Sequence, residues 1–235
     1  MAAVVAILVG VVGYRVYTAR KKAHQAFLDV TDDLPTSQQL EEASKLIISD
    51  ENGVKISLYS LFEQQRTLVI WIRNFYCGSC QAFVEAVSEA VKPNDLKLAG
   101  VKIVFIGCGD FQLIKPYREH TSCPFPIYAD PTTATYKALG MTLRKLDRGK
   151  DAEVASYART GKFGDLKKGI SNAFSLKHFG KQGDSKQLGG DFILGPGLNA
   201  ELAHRMRNVR DHTDVSELLA YLGLEKFGYA ESTFS

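Results

Sequence analysis

Residues 67–75, TLVIWIRNF, hold five consecutive apolar side chains rich in β-formers, with no polar alternation to mark a wet face. A strand apolar on both sides belongs in the middle of a sheet that is covered on both sides. VKIVFIGCG, residues 101–109, reads the same way. Between them Phe83, Val84, Val87, Ala90 and Val91 recur at helical spacing, up to a break at Pro93–Asn94. Strand, helix, strand in that order makes a parallel pair. The chain is therefore α/β.

The pattern continues on either side. LIISDENGVKISL reads as a hairpin turning at Asn52–Gly53, and YSLFEQQ as a short helix. DFQLIKPYREHTS reads as a helix capped by Asp110 and bent at Pro116. CPFPIYADP carries a short strand, and TTATYKALG a helix ending on Gly140. DFILGPGLNAELAHRM reads as a second hairpin, turning at Gly195-Pro196-Gly197. TDVSELLAYLGL closes the chain as a helix, with Asp214 and Glu217 spaced as a variant capping box. This alternation calls for a central mixed sheet flanked by helices. Residues 46–226 form the predicted domain, after a linker with a short helix at 23–45 and before a tail at 227–235. A basic insertion interrupts it at about 142–189, where Arg144 to Lys186 holds eleven Lys or Arg against five Asp or Glu. Such a surface suits anionic lipid, an acidic partner or plain solvation.

MAAVVAILVGVVGY is apolar throughout, and Arg15, Arg20, Lys21 and Lys22 follow. A span needs about 20 apolar residues. This run is shorter, although Val16 and Tyr17 extend it if Arg15 snorkels. No charge precedes it, as a secretory signal would require. Basic residues behind it would keep the remainder cytosolic. Residues 1–22 thus read as a hydrophobic helix anchoring a cytosol-facing domain to the endoplasmic reticulum or the mitochondrial outer membrane. The alternatives are a helix docked on the domain, or an inert tail on a cytoplasmic protein. A net charge of +3 over 235 residues gives no case for nucleic acid.

The four cysteines are Cys77, Cys80, Cys108 and Cys123, too few for a disulfide framework in this length. In RNFYCGSC the first two stand where a central strand ends and a helix begins. A helix start offers unpaired N–H groups and partial positive charge, which favour thiolate, the reactive form. Two residues of separation let one sulfur reach the other, so the pair can cycle between dithiol and disulfide. Zinc would need two further ligands, and Cys108 and Cys123 make no second C-x-x-C; no metal is expected. Two buried cysteines acting as small apolar residues remain the plain alternative. The histidines, His24, His120, His178, His204 and His212, are scattered, distant in sequence from the cysteines, and read as ordinary surface or hairpin residues.

This order of elements, with RNFYCGSC after a central strand, resembles the thioredoxin fold, and its peroxiredoxin branch more closely. DENGVKISLYSLFEQQRTLVIWI is similar to the opening of peroxiredoxins, and CPFPIYADPTTATYKALGM to their middle. GGDFILGPGLNAELAHRM resembles the close of the peroxiredoxin-like AhpC/TSA antioxidant group, one class of which acts as a prostaglandin F synthase. The resemblance covers roughly residues 46–224. It implies a thioredoxin-like fold and thiol-dependent reduction of a peroxide or endoperoxide. Cys77 and Cys80 would be catalytic, with a thioredoxin or glutathione-type reductant restoring them and no cofactor. On the peroxiredoxin Thr-x-x-Cys pattern Cys80 attacks; on the thioredoxin pattern Cys77 does. The peroxide-polarising arginine of peroxiredoxins has no counterpart, since Gly189 and Gly190 hold its place. Arg73 offers a substitute, or is a surface charge. The glycines would bring backbone close to the sulfur and substrate, or mark a bulge. Cys108 is an auxiliary thiol or a buried strand-end residue. A thioredoxin-type protein disulfide reductase, or a non-catalytic redox-sensing or scaffold module, would use the same residues.

Overall fold

The computed structural model describes residues 31–149, 157 and 180–224. Helix α1 (Ser37–Ser44) precedes the hairpin β1 (Ile47–Ser49) and β2 (Lys55–Ser57). A 3₁₀ turn leads into β3 (Arg66–Ile72), α2 (Gly78–Ala90), α3 (Pro93–Ala99) and β4 (Val101–Gly107). Then come α4 (Ile114–Thr121), β5 (Ile127–Ala129), α5 (Ala134–Ala138), the hairpin β6 (Gly190–Leu194) and β7 (Ala200–Arg205), and α6 (Val215–Leu222). The strands form one sheet in the order β2-β1-β5-β4-β3-β6-β7. The β3–β4 and β4–β5 pairs are parallel and the others antiparallel, so the sheet is mixed.

The central strands bury both faces, as their composition requires. Leu68, Ile70 and Ile72 of β3 join one apolar cluster with Phe83, Val84 and Val87 of α2. Val69 and Trp71 point the other way, into a cluster with Leu40 of α1 and Tyr136 of α5. The first turn forms because Asp50 accepts hydrogen bonds from the N–H groups of Asn52 and Val54, both at 2.8 Å. Gly53 there takes φ +80°, which costs a residue without a side chain little.

Several boundaries have local causes. Val91 and Lys92 are extended, as residues before a proline tend to be, and Pro93 then opens α3 at a position that needs no N–H. Pro116 lies in the first turn of α4, where its missing N–H is likewise harmless. The change of winding comes instead at Ile114, after a 3₁₀ turn capped by Asp110. Asp214 caps α6 by accepting from the N–H and hydroxyl of Ser216.

Of the segment read as a linker, the described part is built into the domain. Thr36 and Gln39 cap α1 reciprocally, and Leu40 and Ala43 are buried. Upstream, Arg205 donates to the carbonyls of Thr31 and Asp33 at 2.8 and 2.9 Å. The polar composition of 31–45 hid these few anchoring contacts. Residues 1–22 and most of the basic insertion lie outside the described residues; among the described ones, no helix is long and apolar enough to cross a membrane.

Candidate active site

The parallel strands β3 and β4 end side by side, Ile72 opposite Gly107. Tyr136 ties them by donating to the carbonyls of Ile72 and Ile106, at 2.7 and 3.0 Å. Asp130 holds that helix start, accepting from the Thr135 N–H and hydroxyl at 2.8 and 2.7 Å. The ADPTTATY stretch therefore serves as the brace of this edge. Past it, the chain leaves β3 and runs through Arg73 to Phe75, whose ring lies where a side chain at Gly107 or Gly109 would be, 2.6 Å from an added Cβ at either. The chain then enters α2 at Cys77.

Cys77 is the N-cap of α2, and its sulfur accepts the Cys80 N–H at 3.4 Å. Arg73 Nη1 donates to the same sulfur at 3.0 Å, and the Ser79 hydroxyl lies 3.3 Å away. Cys80 sits one turn on, its sulfur accepting the Arg73 N–H at 3.4 Å. Both cysteines are free thiols. Cys77 retains 7% exposure, Cys80 none and Arg73 5%.

These contacts split the pair. A hydrogen bond from the Cys80 thiol, then the Arg73 charge and the Ser79 hydroxyl, hold Cys77 well below the ordinary thiol range against the opposing effect of burial. Burial, then the neighbouring Cys77, pushes Cys80 well above it. Cys77 is thus the sulfur poised to ionise, and Cys80 the one poised to stay a thiol.

Cys108 stands at the same edge, at the end of β4. Its thiol donates to the Arg73 carbonyl at 2.8 Å. Burial pushes it up to about 12. Gly183 covers it, with φ +90° and an added Cβ only 2.7 Å from the sulfur. Gly183 belongs to the described end of the insertion, which crosses the edge as a strap. There Gln182 accepts from the Phe75 N–H, Lys181 from the Asp110 N–H, and Ser185 from the Arg73 guanidinium.

Gly189 and Gly190, expected near substrate, pack closely against main chain. A Cβ on Gly189 would lie 1.7 Å from the Trp71 carbonyl oxygen, and one on Gly190 2.4 Å from that of His204. They let β6 pack between β3 and β7, and the atoms nearest them belong to neighbouring chain, not to the thiols. Arg73 is buried against Cys77, so it is no surface charge.

The sequence also failed to single out Ser79 and His212. His212 is no ordinary surface residue: its ring is fully buried, with Nδ1 2.8 Å from Asp191 and its plane stacked on Phe83 of α2. Asp191 lies 21 positions upstream, so only the β6–β7 hairpin brings the two together. His204 pairs instead with Asp32 and the Asp211 carbonyl. Among the described residues no group of three His, Cys, Asp or Glu side chains gathers as a metal site.

A mixed central sheet flanked by helices, with a buried C-x-x-C at the start of the helix after a central strand, defines a protein of thioredoxin-like fold with two thiols at its sheet edge. The family model of the AhpC/TSA antioxidant enzyme matches residues 89–208, and the chain belongs to that family. It is 30% identical over 188 residues to mouse (Mus musculus) peroxiredoxin-like 2C, covering 79% of this chain and 81% of that protein. With the cattle (Bos taurus) protein of the same name it shares 30% over 211 residues, 88% and 90% of the two chains. Among solved structures it is similar to the Xanthomonas campestris bacterioferritin comigratory protein, described for its alkyl peroxide reduction activity. That likeness has a TM-score of 0.52 at 13% identity and covers 86% of this chain and 99% of that one, which shows the fold. Family and fold together support a thiol-dependent redox function.

Proposed function

We propose that the protein reduces a peroxide or endoperoxide, with Cys77 as the attacking sulfur and Cys80 as the resolving one. The observation that carries this reading is the Arg73 guanidinium 3.0 Å from the Cys77 sulfur, in a buried site where Cys80 has no exposure. The Cys77 thiolate attacks one oxygen of the O–O bond. That bond breaks, the other oxygen takes a proton and becomes an alcohol or water, and the attacked oxygen stays on Cys77, as a sulfenic acid from a hydroperoxide or as a sulfenate ester from an endoperoxide. Arg73 would steady the negative charge passing from sulfur to oxygen. The Cys80 thiol then attacks the Cys77 sulfur, forming the disulfide and releasing water from the sulfenic acid or the second alcohol from the sulfenate ester. A thioredoxin or glutathione-type dithiol or thiol supplies the two electrons and two protons that restore the pair. No cofactor enters these steps.

A second reading, protein disulfide reduction, is favoured by the position of the poised sulfur. It is the first cysteine of the motif, as in thioredoxins, and not the second, as in peroxiredoxins. One assay separates them: addition of one equivalent of hydrogen peroxide or an alkyl peroxide to the reduced protein. The peroxidase reading expects loss of two hydrogens by intact mass and sustained peroxide consumption with reductant. Reduction of insulin disulfides without peroxide consumption would put the reductase reading in its place. Redox-dependent partner capture without turnover of either kind would favour a non-catalytic module.

We also propose that residues 1–22 tether the domain to a membrane with its site facing the cytosol, on the strength of their apolar run and following basic cluster. Full release by alkaline carbonate would contradict it.

A further inference from the structure

Ser79 has two acceptors within reach and one proton to give. Its hydroxyl oxygen lies 2.7 Å from the carbonyl oxygen of Val209 and 3.3 Å from the Cys77 sulfur. While Cys77 is a thiol, its S–H can turn to the Ser79 oxygen, and the Ser79 proton goes to Val209. Once Cys77 is a thiolate, the charged sulfur is the stronger acceptor, and the proton turns to it. The Val209 carbonyl then loses its donor. Ionisation of Cys77 is therefore in competition with a main-chain carbonyl from a different part of the fold.

Val209 belongs to the segment joining β7 to α6, whose near part is held by the Val209 N–H on the Asp147 carbonyl at 2.9 Å and whose far part is pinned by one buried carboxylate. Asp191 accepts from His212 Nδ1 at 2.8 Å and from the Thr213 N–H at 2.7 Å. Both side chains of the Asp191–His212 pair are fully buried. The His212 ring lies flat on Phe83, with centroids 4.2 Å apart and planes within 3°. Phe83 is one turn beyond Cys80 on α2. The segment thus grips the helix of the C-x-x-C at two successive turns, through Ser79 and through Phe83. His212 Nε2 is buried without a partner among the described residues, and so is the Thr213 hydroxyl. A ring and a hydroxyl kept there with polar atoms unsatisfied carry a cost that plain packing would have avoided.

Taking Cys77 as the attacking sulfur, as proposed above, we infer that Ser79 sets how readily Cys77 loses its proton, and that Asp191 and His212 are positioning residues which hold the Val209 carbonyl as the rival acceptor. The other titratable or charged groups facing Cys77 are Arg73 at the end of β3, Cys80 on its own helix and Tyr117 on α4, with Cys108 and Asp184 beyond Arg73. Tyr157, His204 and Asp211 face the Asp191–His212 pair.

The test uses the full chain, reduced and labelled with carbonyl-¹³C valine, the Val209 signal being assigned by its absence in Val209→Ile. Its carbonyl shift is followed against pH, and the ionisation of Cys77 is followed in parallel by the rate of iodoacetamide alkylation at that site. The expected result is a Val209 signal that moves with the Cys77 midpoint and is flat in Ser79→Ala. A Val209 signal that stays still while Cys77 ionises overturns the inference and leaves the proposed function standing. A Cys77 midpoint in the ordinary thiol range overturns the proposed function, and the inference falls with it. Asp191→Asn adds a test of sign. Loss of the rival acceptor should lower the Cys77 midpoint by about one pH unit, and the shift should vanish in the Asp191→Asn, Ser79→Ala double variant. Mere loosening of the site would raise the midpoint instead, and that result too would overturn the positioning role. If Asp191→Asn does not fold, the wild-type Val209 titration still decides.

Discussion

Cys77 and Cys108 stand at the same sheet edge, both buried, and both touch Arg73. Cys77 meets its guanidinium and Cys108 its carbonyl oxygen. Burial raises a thiol in either place. At Cys108 it prevails: the thiol gives its proton to the Arg73 carbonyl, and the Asp184 main chain and the Arg73 charge lower it too little to offset burial. At Cys77 it is outweighed, because the neighbours are donors: Cys80 through N–H and S–H, Arg73 through its charge, and Ser79 through its hydroxyl. Within this one edge burial acts on both sulfurs, and the donors around Cys77 are what set it apart from Cys108.

The contrast can be broken most severely at the sulfurs themselves. Cys77→Ser should abolish peroxide turnover, while Cys108→Ser should keep it within the same order of magnitude; equal losses would end the distinction. Removing the charge is the next largest change. An opposite charge at this range lowers a pKa by about 1–3 units. Arg73→Met should therefore raise the Cys77 midpoint and slow its alkylation at pH 7 by about ten- to a hundredfold. Cys108, held by main chain, should change far less.

Smaller effects sharpen the Cys108 side. Gly183→Ala would force a left-handed φ on a residue whose Cβ meets the Cys108 carbonyl oxygen at 2.5 Å. A loss of about 1–3 kcal/mol is expected in denaturant unfolding, with faster labelling of Cys108 and little change at Cys77. The two thiols should also imprint opposite slopes on stability against pH. Cys77 is depressed in the fold, so its contribution is present above the unfolded value of about 8.5 and is lost as pH falls through the folded one. Cys108 is raised to about 12, so its contribution is present below the unfolded value and is lost as pH rises toward 12. Cys108→Ala should flatten the fall in stability above about pH 9 by about 1.4 kcal/mol per pH unit at most. An unchanged alkaline slope would mean that Cys108 is not held as described.

Much of this architecture was legible in the sequence because it rests on local signals. TLVIWI and VKIVFIG show both faces buried, Asn52–Gly53 marks its turn, and the cysteines follow a strand directly. The placement of Cys77 at a helix start was readable for the same reason. What stayed hidden depends on contacts across the chain. Ser79 is an unremarkable residue until Val209, 130 positions away, meets its hydroxyl. His212 looks like a loop residue until β6 delivers Asp191. Gly189 and Gly190 invited a substrate role, because a glycine pair does not reveal whether it admits a ligand or a neighbouring strand. Which cysteine ionises was undecidable for a related reason, since it depends on the Arg73 rotamer and not on spacing.

The most direct test of Cys77 as the attacking sulfur is the intact mass of Cys77→Ser and Cys80→Ser after one equivalent of peroxide with dimedone present. A dimedone adduct on Cys77 in the Cys80→Ser protein, and none in Cys77→Ser, is the predicted result. An adduct on Cys80 in the Cys77→Ser protein, with Cys77 unmodified in the other, would contradict it.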